Sequence, residues 1–594
     1  MLPCLAVGCY STGDGTPPPS TTFYFPVGLA VSPGGNVLYA VNSDFDLQWN
    51  GGTLQSYDLN QIRQDAVITI ADPNDPRLHN VRPGGAVGTL PSCSSNAPVY
   101  KTDGSGRRQT LGETCAPPVD STAYVRDSAI IGAFATDLQR SNCGSAECTG
   151  ERLFVPVRGD ASLTWADVVT DVALVQPLVG CDVSHPCTAP ADCYRGACGT
   201  VPAPPPGAKT PYAPFTIGCG TRVNNRCDAT HHAGSDPSEP GNTRGVSMPG
   251  EPFGLAQSED GETITITHQN DTKTSLFFTG MSSTRPPTRP SLQFILDGLP
   301  IGGNGITAVP HDPGAFDDPS KAPRPAFLQT SRAATELNLL RYYSDQASGD
   351  VTSTLHRPFL MKELSYPLTV NAGGADSRGI VIDHTPRIAC KLNVKAVDPL
   401  SKPPRTQADV DADKKVCARL PARVFFANRS PASMLTGEIG ESSASGDSTY
   451  DADRLLVYGN VPLSFGPSKL YLAPVVTADG TYALRVFIVC FDAAAIFIYD
   501  PDAGVVENII RVSSGPFAMA FDPFDIEKVA AHAKVDDDPR APGTGLKKYR
   551  FAYVASFTNS FVQAIDLDNS LPRKDTFEKI VFTLGLPTLP KGSR

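Results

Sequence analysis

The sequence predicts an all-β fold: a seven-bladed β-propeller with long disulfide-bonded loop insertions, its ring closed by the C-terminal strand. Three observations predict it. First, one hairpin pattern recurs, an apolar strand, a polar turn, then an alternating strand. It is clearest from Phe551 to Leu567 (FAYVASFTNSFVQAIDL), with the turn at Thr558-Asn559-Ser560, and returns from Val37 to Leu59. Further copies start at Leu153, Thr263, Ala326, Val424 and Val486, and repetition of one supersecondary unit marks a ring or solenoid. Second, a short apolar strand precedes each hairpin, as in FPVGLAVSPGG, GEPFGLAQSEDG and GPFAMAFDPFD. Adding one more strand gives the four-stranded blade of a propeller. Third, 55 Pro and 52 Gly with few amphipathic helical patterns suit many short strands joined by turns.

Along the chain, residues 1–22 read as a Ser/Thr/Gly/Pro-rich tether. Residues 23–594 read as a single propeller. Blade 1 is expected from Phe23 to Asp72, followed by an insertion at about 73–127. Blade 2 opens with Ser128-Ala129-Ile130-Ile131 and is followed by a Cys-rich insertion at about 180–248. Blades 3 to 7 open near Gly250, Gly305, Gly379, Lys469 and Gly515. The run Phe577 to Leu586 has no hairpin after it and is expected as the outer strand that closes the ring onto the N-terminal blade, removing an exposed edge. Both insertions are expected between blades, rising on the face of the second-to-third-strand hairpins. Loops of that length are usually functional.

Tyr39-Ala40-Val41-Asn42 and Tyr553-Val554-Ala555-Ser556, each followed by an Asp-Leu strand end, resemble the YVTN-type β-propeller repeat family. The resemblance covers about half the residues, is closest in the first and last blades, and implies fold rather than activity. Leu5-Ala6-Val7-Gly8-Cys9 resembles a bacterial lipobox, which implies lipidation at Cys9, although no basic segment precedes it.

The net charge of −11 argues against nucleic acid as a partner, since phosphate binding needs a basic face. No apolar run is long enough for a transmembrane helix. The 15 cysteines carry a compartment signal. Cys93 with Cys115, Cys143 with Cys148, Cys219 with Cys227 and Cys390 with Cys417 are local partners. Cys181, Cys187, Cys193 and Cys198 form a compact group, read as two disulfides rather than a zinc site because the C-x2-C spacing of zinc ribbons is missing. Cys490 stands alone in an apolar strand and is expected as a buried free thiol.

Candidate chemistry is sparse. HExxH, GxSxG, a phosphate-binding Gly-Lys loop and a dinucleotide fingerprint are all missing. His231-His232 lacks a second ligand cluster. Asp409, Asp411 and Asp413 alternate like half of a calcium loop, but Lys414 and Leu420 hold the positions where that loop needs Gly and Glu. Arg158-Gly159-Asp160 sits where a hairpin turn belongs. No metal site and no cofactor is expected, and two Trp are too few for a quinone-docking propeller. Asp137, His311, Asp383 and His384 are the polar residues to inspect at the central channel. The expected function is a non-enzymatic binding or scaffold protein of the bacterial cell envelope, secreted, periplasmic or tethered to the outer membrane. Its partner would be a protein or glycan at the cell surface. The alternative is a lactonase-like propeller hydrolase with its site in the central channel.

Overall fold

The computed structural model describes residues 15–71, 118–142, 150–171, 215–281, 288–316, 323–343, 358–368, 376–441, 453–535, 550–570 and 576–585. It also gives the backbone of short strands at 100–102, 108–110, 179–180, 193–194 and 197–198. Cys9, Cys93, Cys115, Cys143, Cys148, Cys181 and Cys187 lie outside the described residues, as do the side chains of Cys193 and Cys198.

Seven blades of four antiparallel strands follow one another along the chain, and the last is extended to five by a parallel strand. Their inner strands are Pro26–Val31, Gln139–Asn142, Pro252–Gln257, Gly303–Ala308, Ser377–Asp383, Pro467–Val476 and Pro516–Phe521. The order within each sheet is sequential, so each blade is a meander from the ring axis outward. Between neighbouring blades lies an apolar layer. Blades 1 and 2, for instance, share Val27, Tyr39, Leu54, Leu153 and Val155, and blades 7 and 1 share Tyr553, Phe582, Leu38 and Tyr57. Because both faces of each sheet are covered, second strands such as Val37–Asn42 and Phe551–Ser556 are buried at every position and read as near-continuous apolar runs. Outer strands meet solvent on one face and alternate, as Asp453–Pro462 does.

Inner strands approach one another closely, and glycine permits it. A Cβ on Gly254 would lie 2.0 Å from the Asn304 carbonyl oxygen, and one on Gly379 would lie 2.6 Å from Lys469 Cα. The Gly-rich openings of these strands in the sequence are therefore packing positions between successive blades.

The outer strand of blade 7, Ile580–Leu584, closes the ring as expected. It pairs in parallel with Pro118–Val119, Thr583 opposite Pro118 and Leu584 opposite Val119. That segment leads into the outer strand of blade 1, so the two terminal blades are joined edge to edge. Across the same seam Arg63 Nη2 lies 2.6 Å from Asp522 Oδ1.

Strand direction sorts the connections. In an antiparallel meander the first-to-second and third-to-fourth connections leave on one face, and the remaining ones leave on the other. The long insertions belong to the first group, a correction to the sequence reading. Val125–Ile131 is the outer strand of blade 1, with Ala129 opposite Leu54, and His232–Ala233 is the outer strand of blade 2, with Ala233 opposite Leu163. Both insertions thus split a blade between its third and fourth strands. An apolar run such as Ser128–Ile131 reads alike as an inner or an outer strand, so sequence order assigned it to the wrong blade. The actual inner strand of blade 2, Gln139–Asn142, is polar and was hidden for that reason.

Four helices lie on this same face. Helix α1 (Leu59–Ala71) follows the third strand of blade 1, within the span expected as strand and turn. Its Leu59, Ile62 and Ala66 are buried in the layer shared with blade 7. Helices α2 (Thr385–Leu392) and α3 (Gln407–Ala418) fill the first-to-second connection of blade 5, and α4 (Ile526–Ala530) that of blade 7. The Asp409-Asp411-Asp413 stretch is therefore helical rather than a loop: Thr406 and Asp409 form a capping box at the start of α3. Two disulfides stand among the described residues, Cys219–Cys227 and Cys390–Cys417. The second ties α2 to α3. Cys490 is buried and free, and burial pushes its thiol up to about 12.

Candidate functional site

Two cavities lie where the inner strands and their connections converge. The first is in the bore of the ring. It has a volume of about 210 Å³ and is lined by the inner strands of blades 2 to 6, with Asp137, Phe253, Asn304, Lys469 and Tyr471 among the lining residues. Lys469 Nζ lies 2.9 Å from Asp137 Oδ1. The pair joins blade 6 to blade 2, the two ends of the lining arc. Lys469 Nζ also sits 4.7 Å from the ring centre of Phe517 on blade 7, within cation–π range. The Asn304 amide nitrogen is buried without a hydrogen-bond partner. The Tyr471 hydroxyl is pushed well above its ordinary range by burial, with Asp137 adding to the effect.

The second cavity, about 300 Å³, lies under α2 and α4 on the helix-bearing face, and its walls include Glu259, His311, Asp312, His384, Lys391 and Glu527. Of the four residues singled out in the sequence, His311 and His384 share this cavity. Asp137 lies in the bore instead. Asp383 turns to structural duty: Oδ1 accepts from the Thr385 amide at 2.8 Å and hydroxyl at 2.7 Å, and Oδ2 pairs with Arg423 at 2.6 Å.

His311 is similarly engaged. Its Nε2 is 3.0 Å from both carboxylate oxygens of Asp453, which also accepts from Arg341 Nη2 at 2.7 Å. Burial works to raise the Asp453 carboxyl, but His311 and Arg341 outweigh it and hold the group below the usual carboxylate range. The His311 amide donates to Glu259 Oε2 at 2.9 Å, and burial pushes the Glu259 carboxyl upward. Lys391 pairs with Asp312, and Arg387 Nη1 donates to the Pro310 carbonyl at 2.7 Å. His384 stands at the start of α2 without a side-chain cap bond, and burial lowers its pKa, favouring the neutral ring.

The remaining motifs are structural. Arg158-Gly159-Asp160 is a hairpin turn, with Arg158 paired to Glu251 and Asp160 3.0 Å from His232. His231 stacks on Trp165 with ring centres 4.0 Å apart. Among the described residues no cluster of three or more His, Cys, Asp or Glu is arranged to hold a metal. No described helix is long and apolar enough to cross a membrane.

Sequence reading missed Asn304, Lys469, Glu259 and Lys391. Lys469 had a signal, a lone charge opening an otherwise apolar inner strand. Asn304 had none, since an Asn beside Gly reads as a turn.

No family model matches the chain, and no curated protein matches it. Solved structures do. The periplasmic gluconolactonase of Pseudomonas aeruginosa is 11% identical, with 82% of this chain and 86% of that chain covered and a TM-score of 0.32. Saccharomyces cerevisiae Sqt1 is 7% identical, covering 96% and 88%, with a TM-score of 0.38. Kuenenia stuttgartiensis hydrazine synthase is 9% identical, covering 93% and 98%, with a TM-score of 0.37. The sheet topology makes the chain a seven-bladed propeller, and it is similar at low identity to lactonases and to proteins of other kinds. None of these likenesses brings an activity with it.

Proposed function

We propose that this chain is a non-enzymatic binding protein of the bacterial cell envelope that presents its helix-bearing face to a protein or glycan partner. The observation that carries the reading is the sorting of connections. The insertions of blades 1 and 2, the α2–α3 excursion of blade 5 and the α4 excursion of blade 7 all leave on one face. The opposite face carries tight turns such as 158–161 and 557–560, with the 234–251 connection between blades 2 and 3 as its long described segment. Selection for a partner surface elaborates one face in this way, because loops carry function on a rigid scaffold. The pairing of His311 with Asp453 and of Asp383 with Arg423 points the same way, since both use catalytic residue types to hold the frame. The disulfides suit an oxidising compartment outside the cytoplasm. A tether at Cys9 belongs to the same proposal.

The test is affinity capture from the native envelope with the intact chain and with a variant whose residues 181–214 are replaced by a short Gly/Ser linker. A partner recovered by the first and lost by the second supports the reading. Equal recovery by both, or a partner cross-linked only to the tight-turn face, overturns it.

The hydrolase alternative draws on the cavity under α2, where His384 stays neutral beside Glu259 and Glu527. Lactone turnover by the intact chain that is lost in His384→Gln would favour it.

A further inference from the structure

The bore contains polar groups that the fold leaves unanswered. The Asn304 side chain belongs to a residue that is 4% exposed, and its amide nitrogen has no partner. Lys469 Nζ is buried as well, and its ammonium, with three N–H groups, has Asp137 Oδ1 at 2.9 Å as its ion-pair partner. Asp137 takes one hydrogen bond, at Oδ1, from the Leu138 amide at 2.9 Å. Its Oδ2 takes none. All three residues line one cavity. The Asn304 amide, the remaining N–H groups of Lys469 and Asp137 Oδ2 therefore turn their hydrogen-bonding capacity toward the same space.

We infer that the bore binds a small zwitterion of the α-amino acid type with an apolar side chain. Three features fix the class. The Asn304 amide and the N–H groups of Lys469 not used by Asp137 call for acceptor oxygens, and a carboxylate supplies them. The open oxygen of Asp137 calls for a donor, and an ammonium supplies it. The single Asp and single Lys of the lining cancel, so a net-charged ligand would leave an uncompensated charge in a partly shielded site, whereas a zwitterion leaves none. Phe253 lies outside the interblade clusters and offers an apolar wall beside the glycines of the inner strands. The volume of about 210 Å³ gives room for one small molecule.

The experiment is calorimetric titration of the intact chain with L-leucine, L-valine, isovalerate, isoamylamine and glucose. An amino acid should bind about tenfold or more tightly than the matching acid or amine, the effect expected of one charge-assisted hydrogen bond. The Asp137→Asn/Lys469→Met double variant, which leaves no buried charge unpaired, should lose that binding while keeping the parent melting temperature. Asn304→Leu should weaken it about tenfold. Isovalerate, isoamylamine or glucose binding as tightly as leucine, or no heat from any probe at 10 mM, overturns the inference. So does undiminished leucine binding by the double variant.

Discussion

Lys469 of blade 6 meets Asp137 of blade 2 inside the bore, 2.9 Å apart, with most of both side chains shielded from solvent. Residues 332 positions apart thus meet across the axis (469 − 137), and the contact depends on the ring being closed. Replacing Lys469 alone by Met should destabilise the protein by about 2 kcal/mol, because an uncompensated carboxylate stays in the bore. Replacing both partners by uncharged residues should cost less than 1 kcal/mol. Urea denaturation of the three variants measures the difference.

The seam between first and last blades carries a second long-range pair. Asp522 accepts from Arg63, from the Phe551 amide at 3.0 Å and from the Tyr553 hydroxyl at 3.0 Å. Asp522→Ala strips all three donors of their acceptor and should cost about 3 kcal/mol or more. Hydrogen exchange should quicken at Ile580–Leu584 well before it does in blades 3 and 4.

His268 supplies a pH signature. Its Nδ1 donates to the Gly250 carbonyl at 2.8 Å, so Nε2 accepts from the Ser275 hydroxyl, also at 2.8 Å. Burial pushes the ring down to about 4 from 6.5. The unfolded chain therefore binds a proton that the folded chain refuses between those values. Stability from this group is complete above about pH 6.5 and is lost as pH falls toward 4, by about 3 kcal/mol at about 1.4 kcal/mol per unit. His268→Gln should flatten that part of the profile, measured as the denaturation midpoint against pH in both proteins.

The Cys390–Cys417 bond closes a loop of 27 positions over the cavity that holds His384. The Cys390→Ser/Cys417→Ser variant should lose about 3 kcal/mol on the chain-entropy estimate. Limited proteolysis should then cut between 393 and 406 first, with the blades intact.

The architecture was legible because its signals are local. A strand buried on both faces cannot alternate, so Val37–Asn42 and Phe551–Ser556 declare themselves. The assignment of blade 1's outer strand was not legible, since a long insertion separates Val125–Ile131 from its partner Gly52–Asp58. Helix α1 was hidden as well, because its β-branched run Val67–Ile70 reads as strand until tertiary packing decides it. For the bore, sequence offered Asp137 but not its partners. Convergence on an axis is a property of the closed ring, and a lysine's neighbour 332 positions away (469 − 137) leaves no local trace.

The glycines of the inner strands set a gauge for the whole circle. With Gly28 against Leu138, Gly254 against the Asn304 carbonyl, Gly305 against the Arg378 carbonyl and Gly379 against Lys469 Cα, four of the seven inner strands reach the next at close contact, and at those steps the contact distance sets the angle turned. A methyl group added at any one of these contacts widens a single wedge, and the other six must share the closure error. The curvature of the ring at these four steps is therefore written in residues without side chains, at positions remote from any surface a partner could touch.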